Sequence, residues 1–268
     1  MLLSGAANAA TEIGVVTLVE GTARVLRGAT WYKLAAGTRI EEGDIVEVLD
    51  RAQAQLEFTA GTAANLVGPG SIYLVPAKSG QLVLALPNGW LKVAAKAPGV
   101  RVHTAPFDAA TADGIVVMHA QGPTVGIFVE TGSVQLFELS ASGADGPAHE
   151  GKRGEYWTKP AAGGAFTTVP RAPQAFVDAM PRHFADLLPV LAASIKSKPA
   201  LVVDHEITYA EAEPWLAGRE RAVFERRFAS RLRDPAFRKA VEPAIARYPS
   251  WDRMLHPEKY APKPAPVN

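Results

Sequence analysis

The segment 37–48, GTRIEEGDIVEV, places three carboxylates around one glycine, at Glu41, Glu42 and Asp44. Carboxylates this close together can hold a metal ion or move protons, but either task needs a cleft that shifts their pKa values. Glycine before aspartate is also turn chemistry, because Gly43 can adopt a positive φ and Asp44 can hydrogen-bond nearby backbone. We therefore predict a structural turn between strands that end near Ile40 and begin at Ile45.

The remaining chemistry-bearing residues do not form a recognisable catalytic or metal-binding motif. The six histidines are scattered, and only His205, between Asp204 and Glu206, is flanked by acids. Neighbouring side chains on a strand point to opposite faces, so these three do not converge on one ion. The chain has no cysteine, which excludes disulfides and thiolate sites. We predict no catalytic residue, no metal and no cofactor.

Aromatic side chains near turns are the first candidates for contact with a partner. Trp31 and Tyr32 are adjacent in TWYKL, and Trp90 follows an Asn-Gly pair of the hairpin type in NGWLK. Aromatic rings at turns can stack on sugars or receive a protein, although on a strand one of two neighbours usually faces the core. We predict that these three residues bind a partner.

Arginines of the segment ERRFASRLRD are the second candidates. Val223, Phe224, Phe228 and Leu232 form one apolar stripe of a helix, and Arg226, Arg227, Arg231 and Arg233 lie beside it. We predict that Arg226, Arg227 and Arg233 contact an acidic partner, a lipid headgroup or a wall polymer. The alternative is a solvated helix face with Glu225 as a local partner.

The elements that position these residues change type near Pro170. Before it, short alternating runs separated by Gly, Pro, Asn and Asp recur every 8 to 12 residues, a pattern typical of a β sandwich, barrel or solenoid. After it, prolines break a helical pattern into short helices. Thr208 with Glu211 forms a predicted capping box, and Asp234 followed by Pro235 predicts another helix start. We predict a β domain over 12–168, an α-helical domain over 171–260 and a disordered tail over 261–268.

The first residues and the charge distribution bear on the cellular location. Residues 1–10 resemble the end of a signal peptide, with an Ala-x-Ala pattern at Ala7 to Ala9, and no later run is long enough to span a membrane. A net charge of +1 gives no reason to expect nucleic-acid binding. Residues 12–170 carry a net charge of −3 and residues 171–268 one of +4. We predict export to the periplasm.

The order of turn motifs over residues 14–160 resembles the FecR domain, named for the periplasmic ferric-citrate regulator. VVTLVEGTARVLR is followed by a Gly-Asp turn, a Gly-Thr turn, a "v.tp.a" strand, a "V..G.V.v" hairpin and a late Gly-Glu. These lie at Gly43-Asp44, Gly61-Thr62, Val102–Pro106, Val129–Leu136 and Gly154-Glu155. The resemblance implies a twisted β-solenoid in the periplasm. The family's cytoplasmic anti-sigma region and membrane helix have no counterpart in this sequence, so a sigma-regulator role does not carry over.

Together these observations predict a mainly β protein, a FecR-like solenoid followed by a small helical domain. We expect an exported, non-catalytic binding or scaffolding module whose partner is an envelope protein or a cell-wall glycan. Two alternatives remain open. One is a glycan-active enzyme with paired carboxylates on facing strands. The other is the sensor part of a split cell-surface signalling system.

Overall fold

A computed structural model describes residues 11–59, 61–77, 80–97, 99–139, 145–160 and 164–260. Of these residues 46% lie in strands and 25% in helices, so the described chain is mainly β. Both the predicted signal-peptide remnant at 1–10 and the predicted tail at 261–268 lie outside the described residues. The strands are β1 Glu12–Glu20, β2 Ala23–Arg27, β3 Thr30–Lys33, β4 Arg39–Glu41, β5 Ile45–Val48, β6 Gln53–Phe58, β7 Ala63–Leu74, β8 Leu82–Ala95, β9 Val100–His103, β10 Phe107–Thr111, β11 Gly114–Gln121, β12 Thr124–Leu139, β13 Asp145–Lys152, β14 Tyr156–Lys159, β15 Thr167–Val169 and β16 Val202–Glu206.

The helices follow in the last third of the chain and are all short. They are α1 Gln174–Ala179, α2 Tyr209–Ala217, α3 Arg221–Phe228, α4 Pro235–Val241 and α5 Pro249–Leu255, with 3₁₀ turns at Arg182–Ala185, Ala192–Ser194, Ala229–Arg233, Glu242–Arg247 and Pro257–Tyr260. Among the described residues, no helix combines the length and the apolar character needed to cross a membrane.

The chain divides into two compact units. The β unit holds residues 1–27 and 31–204, and the helical unit holds residues 28–30 and 205–268. The predicted start of the helical domain at 171 thus differs from the division between the units. Residues 171–204, including α1, belong to the β unit, because side chains of this segment pack against the sheet (Phe176 and Phe184 with Val117).

The second half of the β unit contains a closed ring of five strands. β8 pairs with β9, β9 with β10, β10 with β12, β12 with β11, and β11 again with β8. The β8–β9 pair is parallel and the other four are antiparallel. The first half joins this ring through β7, which pairs with both β6 and β8. The solenoid expected from the resemblance is not shown by this pairing, which describes a five-stranded barrel within a larger sheet.

One face of the sheet forms the core. Residues directly opposite each other on neighbouring strands point to the same side. A row of this kind crosses β6, β7, β8, β11 and β12, and every member is buried: Ala54, Leu66, Leu91, Met118 and Ile127. The alternation read from the sequence therefore corresponds to an inner apolar side of these strands.

The other side of the same five strands is called the outer face below. It consists of two rows that run across the strands, which are Gln55, Asn65, Lys92, Val117 and Phe128 in one and Gln53, Val67, Trp90, His119 and Gly126 in the next. Glu57 continues this side along β6, because residues two apart on a strand share a face. The outer face is not left to solvent: several of its polar residues, including Gln55, Glu57 and Lys92, are buried.

The helical unit is assembled from locally specified helices around aromatic side chains. Thr208 and Glu211 form the predicted capping box of α2, and Gly218 ends this helix. Asp234 caps α4 with Pro235 in its first turn, also as predicted. The buried aromatic residues of the helical unit are Tyr209, Trp215, Phe224, Phe228, Phe237, Tyr248 and Trp251.

Candidate partner-binding surface

The acidic stretch at 41–44 is a structural turn. Gly43 has a φ of +89°, a conformation that favours glycine. The Asp44 carboxylate accepts a hydrogen bond from the Glu41 backbone N–H at 2.9 Å, which closes the turn. The interpretation of the stretch as turn chemistry is confirmed.

Asp44 also has a partner that the sequence did not indicate. It is 1% exposed, and Arg27 of β2 donates to it from Nε at 3.0 Å and from a terminal nitrogen at 2.7 Å. Another nitrogen of Arg27 donates to Glu41 at 2.7 Å. Burial acts to lower the pKa of Arg27, but the hydrogen bonds and charge of Asp44 outweigh this effect, so the pKa is raised. The cluster is held as an ion pair between strands.

The acid-flanked histidine is likewise part of local structure. His205 Nε2 lies 3.0 Å from a carboxylate oxygen of Glu211, the residue that completes the capping box of α2. Glu206 faces Arg231, with 2.8 Å between carboxylate and guanidinium. His205 and Glu206 therefore have separate partners. Over the residues that the structure describes, no group of three or more His, Asp or Glu side chains could hold a metal ion.

Trp31 is placed differently from the prediction. It is fully buried, and the guanidinium of Arg24 lies 4.1 Å from the centre of its ring. Its indole N–H has no hydrogen-bond partner among the described residues. A buried ring cannot meet a partner at the surface, so the expected exposure of Trp31 is wrong. The neighbouring Tyr32 points to the opposite side of β3, as alternation requires, and is half-buried against the core of the β unit.

Trp90 does not follow a hairpin turn. Asn88 and Gly89 lie inside the continuous strand β8, at an irregularity in its pairing with β7. A Cβ added at Gly89 would lie 2.6 Å from the Cα of Gly70, so glycine here permits close approach of two backbones.

The ring of Trp90 is occupied within the chain. It stacks on His119 at 3.9 Å between ring centres, with an angle of 7°, and it packs against Phe176 of α1 at 5.0 Å. Burial lowers the pKa of His119. Trp90 therefore has little free ring surface to offer a sugar or a protein in this conformation.

The arginines of α3 divide into a bound and an exposed group. Arg227 is half-buried, donates from Nε to the Gly28 carbonyl at 2.5 Å, and lies 5.8 Å and 5.7 Å from the rings of Phe224 and Phe228. The two phenylalanines are fully buried, which confirms the predicted apolar stripe. Arg227 thus helps to fix the helix and is less available to a partner than predicted.

Arg226 and Arg233 are exposed. They are seven residues apart in a helical stretch, α3 followed by the 3₁₀ turn 229–233, which places them roughly 80° apart around its axis. Ala222 and Ser230, four positions before Arg226 and four positions after it, are small and also exposed. Neither small side chain shields the two guanidinium groups.

The acids of the helical unit are engaged elsewhere. Glu225, the predicted local partner, binds Arg221 at 2.5 Å and Ser250 at 2.6 Å instead of Arg226. The other described carboxylates of this unit also take part in ion pairs, hydrogen bonds or electrostatic contacts. Within the described ranges, neither Arg226 nor Arg233 forms an ion pair with any of them.

Two further basic residues were missed by sequence reasoning. Arg238 and Lys239 of α4 are exposed, and in the residues covered by the structure neither side chain forms an ion pair. The signal was present, because basic residues in the last turn of a helix are expected to project outward beside its dipole. Arg226, Arg233, Arg238 and Lys239, the exposed basic set, are the candidate partner-binding residues of the helical unit.

Comparison with known proteins adds little to this geometry. No family model matches the chain, and no curated protein matches it. Two crystal structures of proteins from Parabacteroides distasonis ATCC 8503 assigned as anti-sigma factors are similar over half of the chain. One has a TM-score of 0.42 at 12% identity, with 50% of this chain and 62% of that chain covered. The other has a TM-score of 0.41 at 14% identity, with 50% and 64% covered. The chain thus spans less than two thirds of either protein, and the resemblance to the FecR domain stays a prediction.

Proposed function

We propose that this protein is a non-catalytic binding or scaffolding module of the periplasm or cell envelope, and that its helical unit docks on the acidic surface of an envelope protein. The observation that carries the proposal is the exposed basic set, four cationic side chains left without acids in a unit whose carboxylates are otherwise engaged. The signal-peptide-like N-terminus and the FecR-like order of motifs support the location.

Arginine suits this task better than a general positive charge does. Its planar guanidinium makes two parallel hydrogen bonds to one carboxylate and stays charged at any physiological pH. Charged groups at the rim of an interface chiefly raise the association rate and favour partners of opposite charge. Because the acids of the unit already have partners, an incoming carboxylate does not have to displace one to reach Arg226 or Arg233.

The test is capture from envelope extract by three immobilised forms of the chain. These are the natural protein, Arg226→Glu with Arg233→Glu, and the matched control Lys152→Glu with Arg153→Glu, two exposed basic residues of the β unit. We expect one protein to be retained by the natural chain and by the control, and lost by the first variant. Retention should also fall between 50 and 300 mM salt, since the Debye length shortens to less than about 8 Å.

Equal retention by all three forms would contradict the proposal. Fractionation of cells that express the full gene tests the location separately. We expect the protein outside the cytoplasm, and recovery of an uncleaved chain in the cytoplasm would refute export.

A further inference from the structure

The outer face of the sheet is covered by one piece of the chain, residues 172–192, called the covering segment below. It includes α1 and one 3₁₀ turn, and the next turn begins at Ala192. It is not a strand of the sheet. Side chains of the outer face reach its backbone directly, and these contacts define what kind of ligand the face accepts.

Lys92 binds the covering segment just past its middle. It is fully buried on β8, and its ammonium donates to the carbonyl oxygens of Phe184 at 2.5 Å and Asp186 at 2.9 Å. Its third contact is the Glu130 carboxylate at 2.9 Å. An ammonium has three donors, and all three are used. A lysine at an outward-facing strand position would ordinarily extend into water. Lys92 instead binds a peptide backbone.

Glu57 and Gln55 hold the second half. The Glu57 carboxylate accepts hydrogen bonds from the backbone N–H groups of Leu191 at 2.6 Å and Ala192 at 3.0 Å. Gln55 donates to the Pro189 carbonyl at 2.7 Å. Carbonyls are thus bound at positions 184, 186 and 189 and N–H groups at positions 191 and 192, which fixes the direction of the segment as well as its position.

Only a few side chains of the covering segment contribute to its contacts with the outer face. Phe184 is fully buried against Val117 and Phe176. In contrast, Leu187 and Val190 are each 75% exposed and point away from the face. The face therefore recognises the main chain that follows a 3₁₀ turn with an aromatic anchor, and it tolerates variation at the exposed positions 187 and 190.

We propose that the outer face is a binding site for a polypeptide segment that carries an aromatic side chain in a 3₁₀ turn, at the Phe184 position, and continues past it without regular structure. The covering segment fills this site in the structure, and a segment of a partner protein takes its place by exchange. Peptides can be bound through their main chain, with specificity from a few side-chain pockets. Lys92 and Glu57 regain water when the segment leaves, so the open state does not bury an unpaired charge.

An added peptide must compete with the covering segment, which is attached to the same chain. A segment on the same chain competes with an effective concentration in the millimolar range. A free peptide of the same sequence therefore binds the natural protein poorly and binds well once the tethered copy is weakened. This difference is the measurable signature of an exchangeable site.

The experiment uses a fluorescently labelled synthetic peptide of residues 181–199 and the full-length chain. Phe184→Ser in the chain weakens the tethered copy, and we expect the Kd for the natural peptide to fall by roughly tenfold or more relative to the unchanged chain. A peptide that carries Phe184→Ser should not bind either chain. Adding Lys92→Met to the Phe184→Ser chain should abolish binding of the natural peptide, because Lys92 supplies two of its backbone contacts.

A second chain variant covers the case in which Phe184→Ser does not fold. Leu191→Pro removes the N–H that Glu57 binds and leaves Phe184 in place, so it should also tighten binding of the natural peptide. Equal affinity of the variant and natural chains for the peptide would overturn the inference, as would equal binding of the anchor-free peptide. Arg226→Glu with Arg233→Glu should leave peptide binding unchanged, which separates failure of this site from failure of the basic set.

Discussion

The outer face of the sheet and the exposed side of α3 have similar sequence patterns, but their side chains differ in burial in the structure. In both, polar residues recur at the period of the element, every second residue in β6 and every third or fourth in α3. All six residues of β6 are buried, including Gln53, Gln55 and Glu57. On α3, Arg226 is exposed.

The difference teaches that periodicity identifies which side chains share a face but not what covers that face. The covering segment comes from about 130 residues further along the chain than β6. It turns a polar face into an interior that needs every donor and acceptor matched. Among the residues that the structure describes, no segment hides Arg226 in this way, and the side chain is exposed.

The largest effect is expected when the contacts of Lys92 with the covering segment are removed. Lys92→Met leaves the Phe184 and Asp186 carbonyls without their donor and Glu130 without its cation. We expect the free energy of unfolding to fall by about 3 kcal/mol in urea denaturation, as for other buried ion pairs that lose one partner. Lys33→Met, at an exposed position of β3, is the control and should change stability by less than about 0.5 kcal/mol. If the two variants are equally stable, the outer face is not a true interior.

A smaller effect is expected from pH, through His119 beneath α1. Burial lowers the pKa of His119 below its ordinary value, so the folded protein favours the neutral ring. The unfolded chain then binds more protons below about pH 6.5, and stability is lost as the pH falls below this value toward the folded pKa. Thermal unfolding of the natural protein and of His119→Gln should diverge over this window, with the natural protein losing more. Parallel curves would show that burial of His119 does not affect proton binding.

The smallest effects separate two neighbouring arginines. Arg227→Ala removes a hydrogen bond to the Gly28 carbonyl and packing against two buried rings, so it should cost about 1 kcal/mol. Arg226→Ala removes an exposed side chain and should change stability by less than about 0.5 kcal/mol. Urea denaturation of both variants is the measurement. The exposed basic set would need a different definition if Arg226→Ala were the more destabilising change.

Local sequence patterns predicted the local features of this fold well. The turn at Gly43-Asp44, the capping box of Thr208 and Glu211, and the start of α4 at Asp234 are all as expected. Each depends on contacts within about four residues, which one stretch of sequence contains entirely.

Features that depend on distant contacts were predicted poorly. Asn88-Gly89 looked like a hairpin turn and is an irregularity within β8, because Gly70 on β7 approaches it. Trp31 looked exposed and is buried beneath Arg24. Neither neighbour can be identified from the residues that surround Asn88 or Trp31 in the chain.

The sequence by itself determined that strands dominate before Pro170 and short helices after it, which faces of many of these elements are apolar, and which residues can turn or cap. These follow from backbone sterics, hydrogen bonds to near neighbours and the period of side chains. Tertiary structure alone decided that five strands close into a ring, that Arg27 neutralises Asp44, and that Lys92 and Glu57 meet a backbone. Such pairings bring together groups far apart in the chain, and their energies depend on desolvation, which a residue acquires only when another part of the chain covers it.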